Sequence, residues 1–127
     1  MPDYAIVNLL EIDDSVQGRA PGLEGRFGRK FLGSNDLGVS HWRYAPNTRN
    51  GAHRHREQEE AYVVVSGSGR IRVDDDVLEL KRWDVVRVAA QAVRAFQGGP
   101  DGLEIIAIGA DRPEGGDGEL VKDWWTD

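Results

Sequence analysis

The chain has no cysteine. Disulfide staples and thiolate metal sites are therefore excluded, and stability must come from packing. It has no apolar run long enough to span a bilayer. Met1-Pro2-Asp3-Tyr4 lacks the basic flank and apolar stretch of a signal peptide, so the expected location is the cytoplasm. A glycine-rich phosphate loop is missing, and no serine sits in a nucleophile-elbow context. Positive charge is in deficit: the formal net charge is -6. A chain this acidic is a poor partner for nucleic acid, which needs clustered Lys and Arg. Arginine nevertheless far exceeds lysine, and some arginines lie among apolar residues, where one could meet an anion in a pocket.

What is present fits one domain of 127 residues. Sixteen glycines and five prolines cut the chain into short apolar runs, which favours many short strands over long helices. Tyr4–Leu10 reads as a first strand. Glu11–Gly25 reads as irregular, and Arg29–Leu32 and Leu37–Tyr44 as further strands. In the last of these, Val39, His41 and Arg43 share one face, and Ser40, Trp42 and Tyr44 the other. Glu59–Ser66 is β-rich. Arg70–Val73, Asp74-Asp75-Asp76 and Val77–Leu80 suggest a hairpin without the usual turn glycine. Leu103–Ile108 is a buried-strand candidate. Asp84–Phe96 is ambiguous: its apolar spacing fits an amphipathic helix capped by Asp84 as well as a strand pair. Residues 111–127 read as a polar tail whose Trp124 and Trp125 pack on the body or on a partner chain.

Two of the three histidines lie in Gly51-Ala52-His53-Arg54-His55-Arg56-Glu57-Gln58-Glu59-Glu60. Residues two apart share a face only on a strand, so an extended segment lets His53 and His55 converge. Glu60 follows a short turn and can complete a set of two imidazoles and one carboxylate. That set suits a divalent ion (Mn, Fe, Ni or Zn) with positions left for water or substrate. The alternative is a polar surface loop. His41 is a further candidate for the pocket, although a hydrogen-bonded strand histidine is the commoner case. Trp42, Tyr44, Tyr62 and Phe96 could line a pocket or simply pack, and Trp83 is expected to pack.

These residues resemble the first motif of the cupins: His-x-His, three or four residues, Glu, six residues, Gly. Here His53, His55, Glu60 and Gly67 stand at that spacing, and Asn47 stands where an upstream glycine is usual. The second motif is partly matched. Trp83-Asp84 replaces a Gly-Asp step, Val85-Val86-Arg87-Val88 matches the strand, and Ala89-Ala90-Gln91 replaces a Pro/Gly turn. Arg94 stands where a fourth metal ligand, histidine, belongs. The resemblance spans residues 37–108. It implies a single-domain all-β double-stranded β-helix, or jelly-roll barrel, with Asp84–Phe96 as strand–turn–strand. It further implies a homodimer through shared edge strands, for which Tyr4–Leu10 is the natural candidate.

Arginine has no lone pair to give a metal. A guanidinium beside the ion would repel it by about 4 kcal/mol per unit charge at 4 Å and an effective dielectric of 20. Three arrangements follow. Arg94 could bind an anionic substrate beside a three-ligand metal, could pair with Glu60 in a metal-free pocket, or could point outward. The first suits an enzyme (oxygenase, decarboxylase or isomerase) acting on a small polar acid or sugar derivative. The second suits a non-catalytic small-molecule binder or sensor. Glu59 should face away from Glu60.

Overall fold

The computed structural model describes residues 3–110 and 116–127. The strands are β1 (Leu23–Phe27), β2 (Gly38–Tyr44), β3 (Ala52–His55), β4 (Glu60–Val73), β5 (Asp76–Lys81), β6 (Val85–Val88), β7 (Arg94–Gly109) and β8 (Gly118–Val121). A single helical turn, α1 (Arg29–Leu32), follows β1. All strand pairings are antiparallel, in one curled sheet.

Two long strands make the curl. β7 pairs with β2, β3 and β4, and β4 pairs with β5, β6 and β7. The β4–β7 ladder shifts register between Val64 and Ser66 and again between Gly67 and Gly69, where a flat ladder would otherwise leave the barrel open. Gly67 is required there. Its φ is +73°, and a Cβ on it would collide with the Gly102 carbonyl oxygen. The barrel interior is filled by Tyr44, Tyr62, Val64, Ile71, Phe96, Leu103 and Ile105, all nearly inaccessible to water.

The jelly-roll expectation holds, with local corrections. Tyr4–Leu10 is not a strand: it is an exposed arm ending in a 3-10 turn at Leu9–Glu11, with Tyr4, Ile6 and Leu10 largely in solvent. Part of the segment read as irregular is the start of β1, held by pairing with β2 from Leu23↔Tyr44 to Phe27↔Ser40. Arg29–Leu32 is helical, stopped by Gly33 at φ 64°. Asp84–Phe96 is strand and turn. Val85–Val88 pairs with Val63–Glu60 of β4, and that long-range ladder overrides the local helical spacing.

Left-handed backbone occurs at Asn47 (φ 60°) and Trp83 (φ 75°), the two positions where glycine is usual in the motifs this sequence resembles, and at Asp74 (φ 48°) in the β4–β5 turn. Asparagine and aspartate tolerate this region; tryptophan is strained there. Trp83 does not pack inside: it is 64% exposed, with Arg82 stacked 5.0 Å from its ring.

Within the expected tail, residues 111–115 lie outside the described residues. Beyond them, β8 pairs with β3, from Ala52↔Val121 to His55↔Gly118. Trp124 and Trp125 then fold back on Ala52, Val93 and Ala95. Arg72 stacks on Trp124 at 4.2 Å, and Arg49 and Arg70 on Trp125 at 4.5 and 5.1 Å. The Asp127 carboxylate ties to Arg49 and Arg70, each at 2.8 Å. Among the described residues no helix is long and apolar enough to cross a membrane.

Candidate metal centre and its cavity

Strand alternation puts His53 and His55 of β3 on one face, and the first residue of β4 brings Glu60 up to them. Glu60 Oε1 lies 3.0 Å from His55 Nε2 and 3.5 Å from His53 Nε2. One donor atom from each of the three residues lies within 4.8 Å of the others. The two imidazole rings meet edge to face at 5.1 Å. Glu59 points the other way and pairs with Arg87 at 2.7 Å, as strand alternation requires.

Two further groups converge on Glu60 Oε1. Tyr62 donates its hydroxyl proton to it at 2.5 Å. Arg94 approaches with Nη2 at 3.4 Å and donates from Nε to the Tyr62 hydroxyl oxygen at 3.2 Å. Arg94 Nη1 donates to the carbonyls of Ala90 (3.1 Å) and Ala92 (2.8 Å). Arg94 therefore points inward, with its side chain wholly enclosed. Its Nη2 is buried without a hydrogen bond of good geometry.

Asp117 completes the cluster and was not visible in the sequence. It immediately precedes β8 and lies on the far side of His55, where its Oδ1 is 2.9 Å from Nδ1. Its Oδ2 accepts the backbone N–H groups of Glu57 (2.6 Å) and Gln58 (2.9 Å). Burial pushes the Asp117 carboxyl up, but these donors and His55 outweigh it and bring it down to about 2. Burial likewise raises Glu60, and hydrogen bonds from His53, His55 and Tyr62 overcome it, leaving the carboxyl far below its usual range. Both carboxylates are thus acceptors only. Burial lowers His55, but hydrogen bonds and charge from Glu60, with Asp117, hold its imidazole above the ordinary histidine value. Burial, reinforced by the Glu60 charge, keeps the Tyr62 hydroxyl protonated.

The cluster opens on a cavity of about 530 Å³ lined by His53, His55, Glu60, Tyr62 and Phe96 at one end, with Trp42, Tyr44 and Ile105 among its apolar walls. Tyr62 and Phe96 are buried in the core and also line this cavity. His41 and Arg94 do not line this cavity. His41 is buried on the opposite face of β2, its Nε2 3.0 Å from Glu104. Arg94 sits behind Glu60 and Tyr62, so the expected direct grip on an anion in the cavity is replaced by a buttressing contact with the two residues that line it.

The residues 40–108 match the family model described as "Cupin domain". The chain is a cupin. No curated protein matches the sequence. Among solved structures, this cupin is similar to a cupin protein from Bacteroides fragilis, with 21% identity and a TM-score of 0.72 over 87% of this chain and 86% of that one. It is also similar to KdgF from Halomonas sp., with 18% identity and a TM-score of 0.68 over 87% and 96%. Oxalate decarboxylase from Bacillus subtilis aligns at 17% identity and a TM-score of 0.79 over 93% of this chain. The match spans only 32% of the decarboxylase chain. At these identities the likeness shows the fold.

Proposed function

We propose that this cupin binds a divalent metal through His53, His55 and Glu60 and presents it to a small molecule in the adjoining cavity. The observation that carries this reading is the position of His55 between two ionised carboxylates. When His55 is neutral and Asp117 accepts its Nδ1 proton, the Nε2 lone pair faces Glu60 Oε1, 3.0 Å away. A lone pair facing a carboxylate is repulsive, so this state calls for a positive charge between them, supplied by a metal ion or by a second proton on His55. A carboxylate on the far nitrogen is also how a metal-bound histidine is held in its tautomer.

The donor set fits the ion. First-row ions with bonds of about 2.0–2.2 Å hold neighbouring donors roughly 3–3.5 Å apart. The contacts of Glu60 Oε1 with the two imidazoles are 3.0 and 3.5 Å. With both imidazoles neutral, Glu60, Asp117 and Arg94 leave one negative charge uncompensated, which favours a cation despite Arg94. When bound, the ion would supply a Lewis-acid centre with positions open to the cavity. Tyr62 and Arg94 approach the same Glu60 oxygen, Oε1, and hold the carboxylate in place. Tyr62 keeps its proton and Glu60 does not take one up near neutral pH, so neither is poised as a general base.

A second reading has a specific support. The 3.4 Å approach of Arg94 to Glu60, with a proton on His55, would satisfy the cluster without an ion. In that case the barrel is a small-molecule binder. Metal analysis separates the two. Protein grown with added Mn, Fe, Ni and Zn should carry close to one ion per chain, lost in His53→Ala. Substoichiometric metal that His53→Ala leaves unchanged sinks the metal reading.

The homodimer is part of the same proposal. Tyr4 and Ile6 on the exposed arm are 78% and 90% accessible, and Leu120 on β8, which among the described residues pairs with β3 alone, is 85% accessible. Pairing of such groups between copies would cover them. Light scattering on the intact chain should give twice the monomer mass, and a mass unchanged by dilution and equal to one chain would exclude it.

A further inference from the structure

We infer that the cavity selects small organic acids, and that Arg29 at its rim, rather than Arg94, is the group that recognises the anion. The inference rests on the reading of this cavity as the ligand site and adds the class of ligand.

Arg29 and Arg94 differ in what their charge is used on. Arg94 is enclosed and already faces a carboxylate. Arg29 lines the cavity and is half-buried. Its guanidinium donates to two backbone carbonyls, from Nη1 to Asn35 at 2.7 Å and from Nη2 to Ala110 at 3.0 Å. Carbonyl partners fix the orientation of a guanidinium without cancelling its charge. Among the described residues no carboxylate pairs with it, and no other lysine or arginine lines the cavity.

The local backbone is built to admit this group. A Cβ on Gly38 would come within 2.7 Å of Arg29 Nη2, 2.9 Å of Nε and 3.0 Å of Cζ. The guanidinium therefore lies flat against the glycine at the start of β2, and any side chain there would displace it. Gly38 has no positive φ to account for its being glycine. Room for Arg29 is a demand the structure does place on it.

The remainder of the lining defines the rest of the ligand. Trp42, Phe96 and Ile105 supply apolar wall, and the exposed Phe27 and Leu120 an apolar lip. A molecule with an apolar body and one carboxylate matches this combination. The acid group would meet the fork of Arg29, whose planar donors suit two carboxylate oxygens. The other end would face His53, His55 and Glu60.

The test uses calorimetric titration of the full chain with phenylacetate, 3-phenylpropionate and hexanoate, each beside its neutral amide. It is run on chelator-treated and on metal-loaded protein. At least one acid should bind roughly tenfold or more tighter than its amide, the usual worth of a charge-assisted hydrogen bond. Arg29→Gln should bring acid and amide to the same affinity, while Arg29→Lys retains part of the difference. Gly38→Ala should act like Arg29→Gln without any change in net charge, and thermal melts show whether each variant is folded. Equal binding of acid and amide by the parent protein, no binding by any of the acids, or a preference unaffected by both Arg29→Gln and Gly38→Ala overturns the inference. Metal content is measured on the same samples. Failure of the metal reading therefore shows as low stoichiometry with the Arg29-dependent preference intact, and failure of the acid reading shows as its loss at full stoichiometry.

Discussion

Replacing Arg94 by methionine should destabilise the metal-free protein strongly and tighten its hold on metal. The substitution keeps much of the buried volume but removes the charge. It deletes the donors to Tyr62, Ala90 and Ala92 and the 3.4 Å approach to Glu60. Breaking a buried ion pair by removing one partner costs about 3–5 kcal/mol. Three hydrogen bonds at about 1 kcal/mol each fall within the same range and describe the same loss, not an additional one. For a domain of this size, roughly 3–5 °C of melting temperature goes with each kcal/mol, so Arg94→Met should melt about 10–20 °C lower in chelator. The metal arm has the opposite sign. Repulsion of about 4 kcal/mol per unit charge at 4 Å and an effective dielectric of 20 is relieved, so a divalent ion should bind the variant more tightly than the parent. An ion at a hundred times its Kd contributes about 2.7 kcal/mol, enough to restore much of the lost stability. Melting curves with and without Mn or Zn, paired with calorimetric titration, read both effects. Arg94→Lys should fall between, since a point charge cannot serve three acceptors at once. A metal-free Arg94→Met that melts within about 3 °C of the parent, less than one kcal/mol, refutes the structural role of the guanidinium. A weaker metal affinity in that variant refutes the competition.

Three other outcomes are expected. Asp117→Asn should weaken metal binding 10–100-fold, because the group that fixes the His55 tautomer loses its charge; an unchanged Kd would place Asp117 outside the site's function. Protonated His55 stabilises the metal-free fold, and since its folded pKa lies above the ordinary 6.5, that contribution is complete below pH 6.5 and fades as pH rises through the raised value. Metal must displace the same proton, so its affinity should fall about tenfold per pH unit below that raised value; chelator-dependent melting and metal titrations across the neutral range check both signs, and a pH-independent Kd contradicts them. Trp124→Ala and Trp125→Ala should each cost about 2–3 kcal/mol, less than a fully enclosed indole, with the change read by urea denaturation; a loss below about 0.5 kcal/mol would mean the tail is not anchored by its rings.

The part of the site that could be read from the sequence is the part written by strand alternation. His53 and His55 two apart, with Glu60 at the head of an apolar strand, needed only an extended segment to converge. For Tyr62 and Phe96 the sequence left pocket lining and core packing equally open. Asp117 had no local signature: it meets His55 across 62 residues through the β3–β8 pairing, and nothing near Gly116-Asp117-Gly118 announces a strand. Arg29 was hidden for a related reason. Its segment, Arg29–Leu32, reads as a strand in the sequence, whereas it forms a helical turn after β1. Asp84–Phe96 shows the converse. Its spacing allowed a helix, and only pairing of Val86 with Tyr62 and its neighbours in β4 decides for strand. His41 and Arg94 were placed at suitable positions along the chain, but which layer of the barrel each side chain occupies is set by neighbours distant in sequence.

The span between His55 and Asp117 also sets an order in time. At about 5–20 residues per second, synthesis places Asp117 on the chain roughly 3–12 s after His55. During that interval the two histidines and Glu60 already exist, but nothing yet holds the His55 ring in the tautomer that frees Nε2. The carboxylate that finishes the cluster is therefore added late, together with the strand and the two indoles that fasten it. On the proposed metal reading, selection of the ion belongs to the finished barrel and not to the growing chain.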